Sequence, residues 1–143
     1  MAQRKQTDMI VVHCSATKPS MDIGAKEIRE WHKAKGWSDI GYHFVIRRNG
    51  EVENGRNVRD IGAHVEGHNW NTVGICMVGG VDYSNRPKSN FTNAQWVSLK
   101  KTVRYLYQLF GQLPLRGHHD LFAGKDCPSF NVQDWAREEG FKV

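Results

Sequence analysis

Between Gly117 and Phe130 the sequence gathers two histidines, a lysine, a cysteine and a proline, in the order Gly117-His118-His119-Asp120-Leu121-Phe122-Ala123-Gly124-Lys125-Asp126-Cys127-Pro128-Ser129-Phe130. Imidazole and thiolate are the side chains that best suit zinc, and three protein ligands with a fourth position left open describe a catalytic rather than a structural site. The stretch supplies two such ligands, an imidazole from the His118-His119 pair and the Cys127 thiolate, so a third must come from elsewhere. His13 is the candidate. It closes Met9-Ile10-Val11-Val12-His13, a β-branched apolar run of strand length. Side-chain alternation sends His13 and Cys14 to opposite faces of such a strand, so the two are not expected to ligate one metal. The bland alternative for His13 is an inert, hydrogen-bonded histidine at a strand end. Cys14 reads as a small core residue, as free cysteines usually are.

Two further segments carry polar groups that could face a substrate. Gly41-Tyr42-His43-Phe44-Val45-Ile46 reads as a strand in which Tyr42 and His43 point to opposite sides, so only one of them can face a given site. A phenol can donate a hydrogen bond or a proton to developing negative charge, which makes Tyr42 a candidate catalytic group; the alternative is an aromatic at a sheet edge. The glycine-punctuated stretch from Gly62 to Asn71 reads as a binding loop on a rigid scaffold, with His64 lining the site and His68 in solvent.

The elements that must position these groups can be read in turn. Gly24 to Lys35 has Ala25, Ile28 and Trp31 at helical spacing, cations in its last turn and Gly36 to close it, and so predicts a structural helix over one face of a sheet. Asn49-Gly50 predicts a hairpin turn between strands. Residues 72–79 form an apolar run without alternation, as expected of a central strand covered on both faces, with Cys76 in the core. Thr92-Asn93-Ala94-Gln95 is a capping box, after which Trp96, Leu99, Val103, Leu106 and Phe110 mark one face of a helix ending at Gly111. Leu113 to Arg116 reads as a short strand delivering the histidine pair, and Asn131 caps a short terminal helix.

At 143 residues the chain is long enough for one domain with a core that needs no disulfide staples. Its three cysteines are odd in number and unpaired in spacing, which points to a reducing compartment. The apolar run after the basic N-terminus is too short for a signal peptide, and no stretch reaches membrane-span length, so neither an export route of its own nor a membrane partner is expected. Twenty Lys and Arg against fifteen Asp and Glu give a net charge of +5, which favours anionic partners without choosing among them. The cations are scattered and no nucleic-acid motif is present, so direct nucleic-acid binding is not expected.

Four motifs in order carry a resemblance: His13-Cys14-Ser15-Ala16-Thr17, Gly41-Tyr42-His43-Phe44, Gly62-Ala63-His64, and His118-His119 through Lys125-Asp126-Cys127-Pro128-Ser129-Phe130. Together they resemble the type 2 N-acetylmuramoyl-L-alanine amidases over nearly the whole chain. The resemblance implies an α/β fold in a single domain, a central mixed β-sheet flanked by helices with a zinc cleft on one face, residues 1–8 forming an N-terminal arm and 9–143 the amidase domain. It implies one Zn2+ held by His13, His118 and Cys127, with Tyr42 and Lys125 as the catalytic pair and His64 and His43 as substrate contacts. The segment between the histidine pair and Cys127 is one residue longer than in a phage relative, which leaves His119 as an alternative; His118 is preferred because it follows glycine, as the matching ligand follows a small residue.

The implied substrate is peptidoglycan and the implied reaction is hydrolysis of the amide between N-acetylmuramic acid and L-alanine, by a monomer. A relative of this fold without catalysis, a peptidoglycan-binding module, is the competing class. The resemblance to phage members also implies a second partner, the phage single-subunit RNA polymerase, and residence in the host cytoplasm until a separate protein permeabilises the membrane.

Overall fold

In the computed structural model, which describes residues 2–143, the described residues form one five-stranded sheet with helices on both faces. The strands are β1 (Met9–Cys14), β2 (Phe44–Ile46), β3 (Val52–Asn54), β4 (Thr72–Met77) and β5 (Leu115–Gly117), in the order β3-β2-β4-β1-β5. β1 pairs in parallel with β4 and β5, and β2 with β4, while β3 returns antiparallel to β2. The mixed sheet is therefore as expected. β4 is its central strand and is buried along its whole length, which explains its unbroken apolar run.

Alternation along β1 divides the core. Ile10, Val12 and Cys14 join Leu99, Val103 and Leu106 of α2 (Asn93–Phe110) and Val132 and Ala136 of α4 (Val132–Glu138) on one face. Val45 and Cys76 pack on the other face against Ala25 and Ile28 of α1 (Ala25–Ala34), and His13, odd-numbered like Val11, is directed away from the α2 side. The capping box at the start of α2 is present: the Gln95 backbone N–H donates to Thr92 Oγ1 at 3.1 Å and the Thr92 N–H to Gln95 Oε1 at 2.9 Å. Gln95 also ties the helix to the sheet, since its buried amide donates to the carbonyls of Ile46 and Val78. The hairpin turn falls where Asn49-Gly50 placed it, with Gly50 at φ 89° and the Arg47 N–H bonded to the Glu51 carbonyl.

Two expectations need correction. Trp31 is exposed, because Ala25, Ile28 and His32 form the buried stripe of α1 and the three residues from Ile28 to Trp31 turn roughly 300°, carrying Trp31 about 60° further round. β2 begins at Phe44, so Tyr42 and His43 precede the strand rather than open it. Ahead of β1, Arg4 N–H bonds the Arg59 carbonyl, Asp8 N–H the Asn71 carbonyl, and Arg4 Nη1 donates to the Asp60 carbonyl at 2.7 Å. None of the helices among the described residues is long and apolar enough to cross a membrane.

Candidate metal centre and cleft

Parallel strands place their carboxyl ends on one edge of a sheet, where loops are free to hold a ligand. His13 stands near the end of β1, and β5 hands over at Gly117 to the single turn α3 (His118–Leu121), which sets His118 beside it. Gly117 has to be small: a Cβ there would lie 2.8 Å from His119 Nε2 and 3.0 Å from Pro128 Cδ. That close approach brings the Cys127 segment against the strand end. The Cys14 backbone N–H donates to Cys127 Sγ at 3.0 Å. Ligand atoms of His13, His118 and Cys127 all lie within 4.8 Å of one another.

This donor set fits zinc. Two nitrogens on one tetrahedral zinc, each at ~2.0–2.1 Å, stand roughly 3.3 Å apart, and His13 Nδ1 lies 3.2 Å from His118 Nδ1. His119 does not share the cluster. Its backbone N–H bonds the Cys127 carbonyl, and its ring reaches only the Asp126 carbonyl at 3.4 Å and Asp120 at 3.6 Å. The structure thus brings together His118, not His119, with His13 and Cys127.

The cleft over this cluster has a volume of about 700 Å³, and Tyr42, His64 and Lys125 all border it. The Tyr42 ring centroid is 5.0 Å from that of His13. Burial, then the nearby thiols, push the phenol well above its ordinary value, so Tyr42 carries its proton and can donate it. Lys125 is exposed at the cleft mouth, with its ammonium 5.8 Å from the Phe122 ring centre. Its charge reaches the cluster: burial first and then Lys125 lower the pKa of His118. The adjacent Cys14 thiol and burial hold the Cys127 thiol well above the ordinary cysteine range, so a thiolate there calls for a cation beside it.

The two proposed substrate contacts are placed differently. His43 is fully buried: its Nδ1 accepts from the Gly74 N–H at 3.0 Å and its Nε2 lies 2.8 Å from the Asp60 carbonyl. Both of its nitrogens are thus engaged with backbone, away from the residues that line the cleft. His64 borders the cleft, yet both of its ring nitrogens are engaged inside the protein.

Sequence reasoning missed one wall. His32, Lys35 and Trp37 line the cleft, although the α1 segment reads as purely structural. His32 is oriented by the Gly41 N–H, which donates to its Nδ1 at 2.9 Å, leaving Nε2 as the protonated edge. The available signal was a histidine on the apolar stripe of a helix, followed closely by lysine and tryptophan.

Burial holds His13 and His64 well below the ordinary histidine value, and His32 and His43 at about 4. These rings are neutral in the fold and free to protonate in the unfolded chain. The unfolded state therefore binds more protons as pH falls below about 6.5, and stability declines from there through about 4. With chelator present, the urea midpoint is expected to drop steadily across that window. A midpoint unchanged over it would contradict the neutral assignment.

The family model for N-acetylmuramoyl-L-alanine amidase matches residues 3–130. The endolysin of Escherichia phage T7 is 49% identical over 133 residues, covering 93% of this chain and 87% of its own length. Among solved structures, N-acetylmuramoyl-L-alanine amidase LysC from Clostridium intestinale URNW superposes with a TM-score of 0.81 at 30% identity, over 96% of this chain and 87% of that one. Wild-type Drosophila PGRP-LB, at 19% identity, shares the fold with a TM-score of 0.82, over 100% of this chain and 86% of that one.

Proposed function

Because this chain belongs to the N-acetylmuramoyl-L-alanine amidase family, we propose that it is a zinc-dependent endolysin that hydrolyses the amide joining N-acetylmuramic acid to L-alanine in peptidoglycan. The observation that carries the metal-dependent reading is the meeting of His13, His118 and Cys127 beside Tyr42, at the base of an open cleft. Amides resist water because the nucleophile is weak and the addition product is charged. A bound zinc supplies both missing effects, lowering the pKa of a water to about 7 and polarising the carbonyl. His13 and His118 would hold it through imidazole nitrogen and Cys127 through sulfur.

The remaining work falls to the chain. Lys125, unburdened by burial at the cleft mouth, would place positive charge against the oxygen that becomes negative on attack. Tyr42, kept protonated by its surroundings, would donate to the same developing charge or to the departing nitrogen. His32, Lys35 and Trp37 offer a polar and aromatic wall for the glycan or stem peptide. A complete ligand set argues for catalysis over a non-catalytic peptidoglycan-binding module.

The decisive experiment is product analysis of purified peptidoglycan digested with and without a strong chelator, followed by zinc. New L-alanine amino groups without new reducing sugar ends, abolished by chelator and restored by zinc, are expected. An absence of bond cleavage with zinc supplied would remove the enzyme reading and leave the binding module. Two further proposals rest on the likeness to a phage endolysin alone. One is inhibition of the phage RNA polymerase, which a transcription assay and pull-down test. The other is release from the host cytoplasm to the wall through a separate membrane-permeabilising protein, which fractionation before and after permeabilisation tests.

A further inference from the structure

A chain of hydrogen bonds behind His13 has a direction that can be worked out from its far end. Thr72, fully buried at the start of β4, has its hydroxyl 2.8 Å from the backbone carbonyl of His68. A carbonyl only accepts, so the Thr72 hydroxyl must spend its proton there. The same oxygen lies 3.2 Å from His64 Nε2 and, having no proton left to give, must accept from it. His64 is then the Nε2–H tautomer and its Nδ1 carries a lone pair. That lone pair lies 2.8 Å from His13 Nε2, which must donate. His13 is in turn protonated on Nε2, and its Nδ1, the atom 3.2 Å from His118 Nδ1, is left with a free lone pair.

The surroundings are shaped to keep His64 in this line. A Cβ on Gly74 would come within 2.6–2.8 Å of three His64 ring atoms, so a glycine in the interior of a central strand is what admits the imidazole. A Cβ on Gly62 would meet His64 Cδ2 at 2.7 Å. Asn69 Oδ1 accepts from the backbone N–H groups of His64 and Val65, both at 2.9 Å, which fixes the loop from which the ring projects.

We propose that His64 and Thr72 are positioning residues that lock His13 in the Nε2–H tautomer and present its Nδ1 to the metal, rather than contacts for the substrate. This rests on the zinc reading above for its consequence, while the tautomer itself does not. Metal-bound histidines generally donate their second N–H to a partner that sets ring orientation and ligand basicity. Here that partner is another imidazole, and the hydroxyl behind it decides which way the line runs.

The test has two arms. Long-range 1H–15N correlation spectra of the 15N-labelled protein, recorded with chelator and then with zinc, read the tautomers directly. Nε2–H on both His13 and His64 in both states is expected, and Nδ1–H on His64 would overturn the proposal. In the second arm, zinc affinity is measured by competition with a chromogenic chelator for Thr72→Val and Thr72→Ser, alongside melting of the metal-free forms. Valine keeps the shape but removes the acceptor, and affinity should fall about 10- to 100-fold, whereas serine should stay within roughly threefold of the parent. Equal affinity in a folded Thr72→Val protein would overturn the proposal. Should that variant fail to fold, the spectra of the parent protein still decide. A parent protein that binds no zinc would overturn the metal reading, and the chelator spectra would then settle the hydrogen-bond line separately.

Discussion

Cys127→Ser is expected to lose bound zinc and amide hydrolysis together. Serine's hydroxyl is not ionised near neutral pH and is a poor replacement for a thiolate, the softest donor in the set and the one that brings negative charge to the ion. The site would then offer only His13 and His118. Without the ion, neither water activation nor carbonyl polarisation remains, and these supply several kcal/mol of barrier lowering, which at ~1.4 kcal/mol per tenfold means a loss on the order of a thousandfold or more. The substitution should leave the fold standing, because Cys127 packs at the margin of the α2-side core, whose centre is Val12, Ile75, Leu99 and Val103. Metal content after dialysis and release of L-alanine amino groups from peptidoglycan, on protein shown by far-UV circular dichroism to be folded, are the readouts. Retained hydrolysis would take Cys127 out of the ligand set. Lost hydrolysis with zinc retained would mean that its role is in the chemistry and not in holding the metal.

How much of this site could be read beforehand depended on how local each signal was. The β1 run, the α2 capping box and the Asn49-Gly50 turn were legible because a few neighbouring residues fix them. The meeting of His13 with His118 spans 105 positions and depends on β1 pairing with β5, so residue types could suggest it and only the fourfold motif resemblance could join it up. Alternation told that Tyr42 and His43 part company, but not which one enters the cleft. That is decided by β4, where the backbone of Gly74 captures His43. His64 looked like a group offered to substrate because its loop is polar and rich in glycine. One of those glycines, Gly62, together with Gly74 in the next strand, leaves room for its ring. The same blindness to long-range packing hid the cleft wall at His32, Lys35 and Trp37.

Lys125→Ala should keep its zinc and turn over roughly 100-fold more slowly or worse, the usual scale for losing one oxyanion donor. The reasoning turns on what Lys125 can and cannot do where it stands. An ammonium has three donors and no lone pair to offer a metal, so its removal takes no ligand away. It is exposed, so its removal opens no cavity in the core. Among the described residues it makes no ion pair, and its recorded partner is the face of Phe122, which leaves the ammonium free to meet charge that arises during reaction. An interaction made only as charge develops lowers kcat and kcat/KM together and leaves ground-state binding little changed. Measured on a soluble muramyl peptide, the loss should therefore appear in kcat with KM nearly constant. Lys125→Arg offers a second reading of the same point. Its charge survives but its planar fork differs from a compact ammonium, so partial recovery is expected if the charge matters and none if a particular donor position does. A loss confined to KM would make Lys125 a substrate anchor. Activity close to that of the parent in Lys125→Ala would shift the oxyanion role to Tyr42, and the next substitution to make would be Tyr42→Phe.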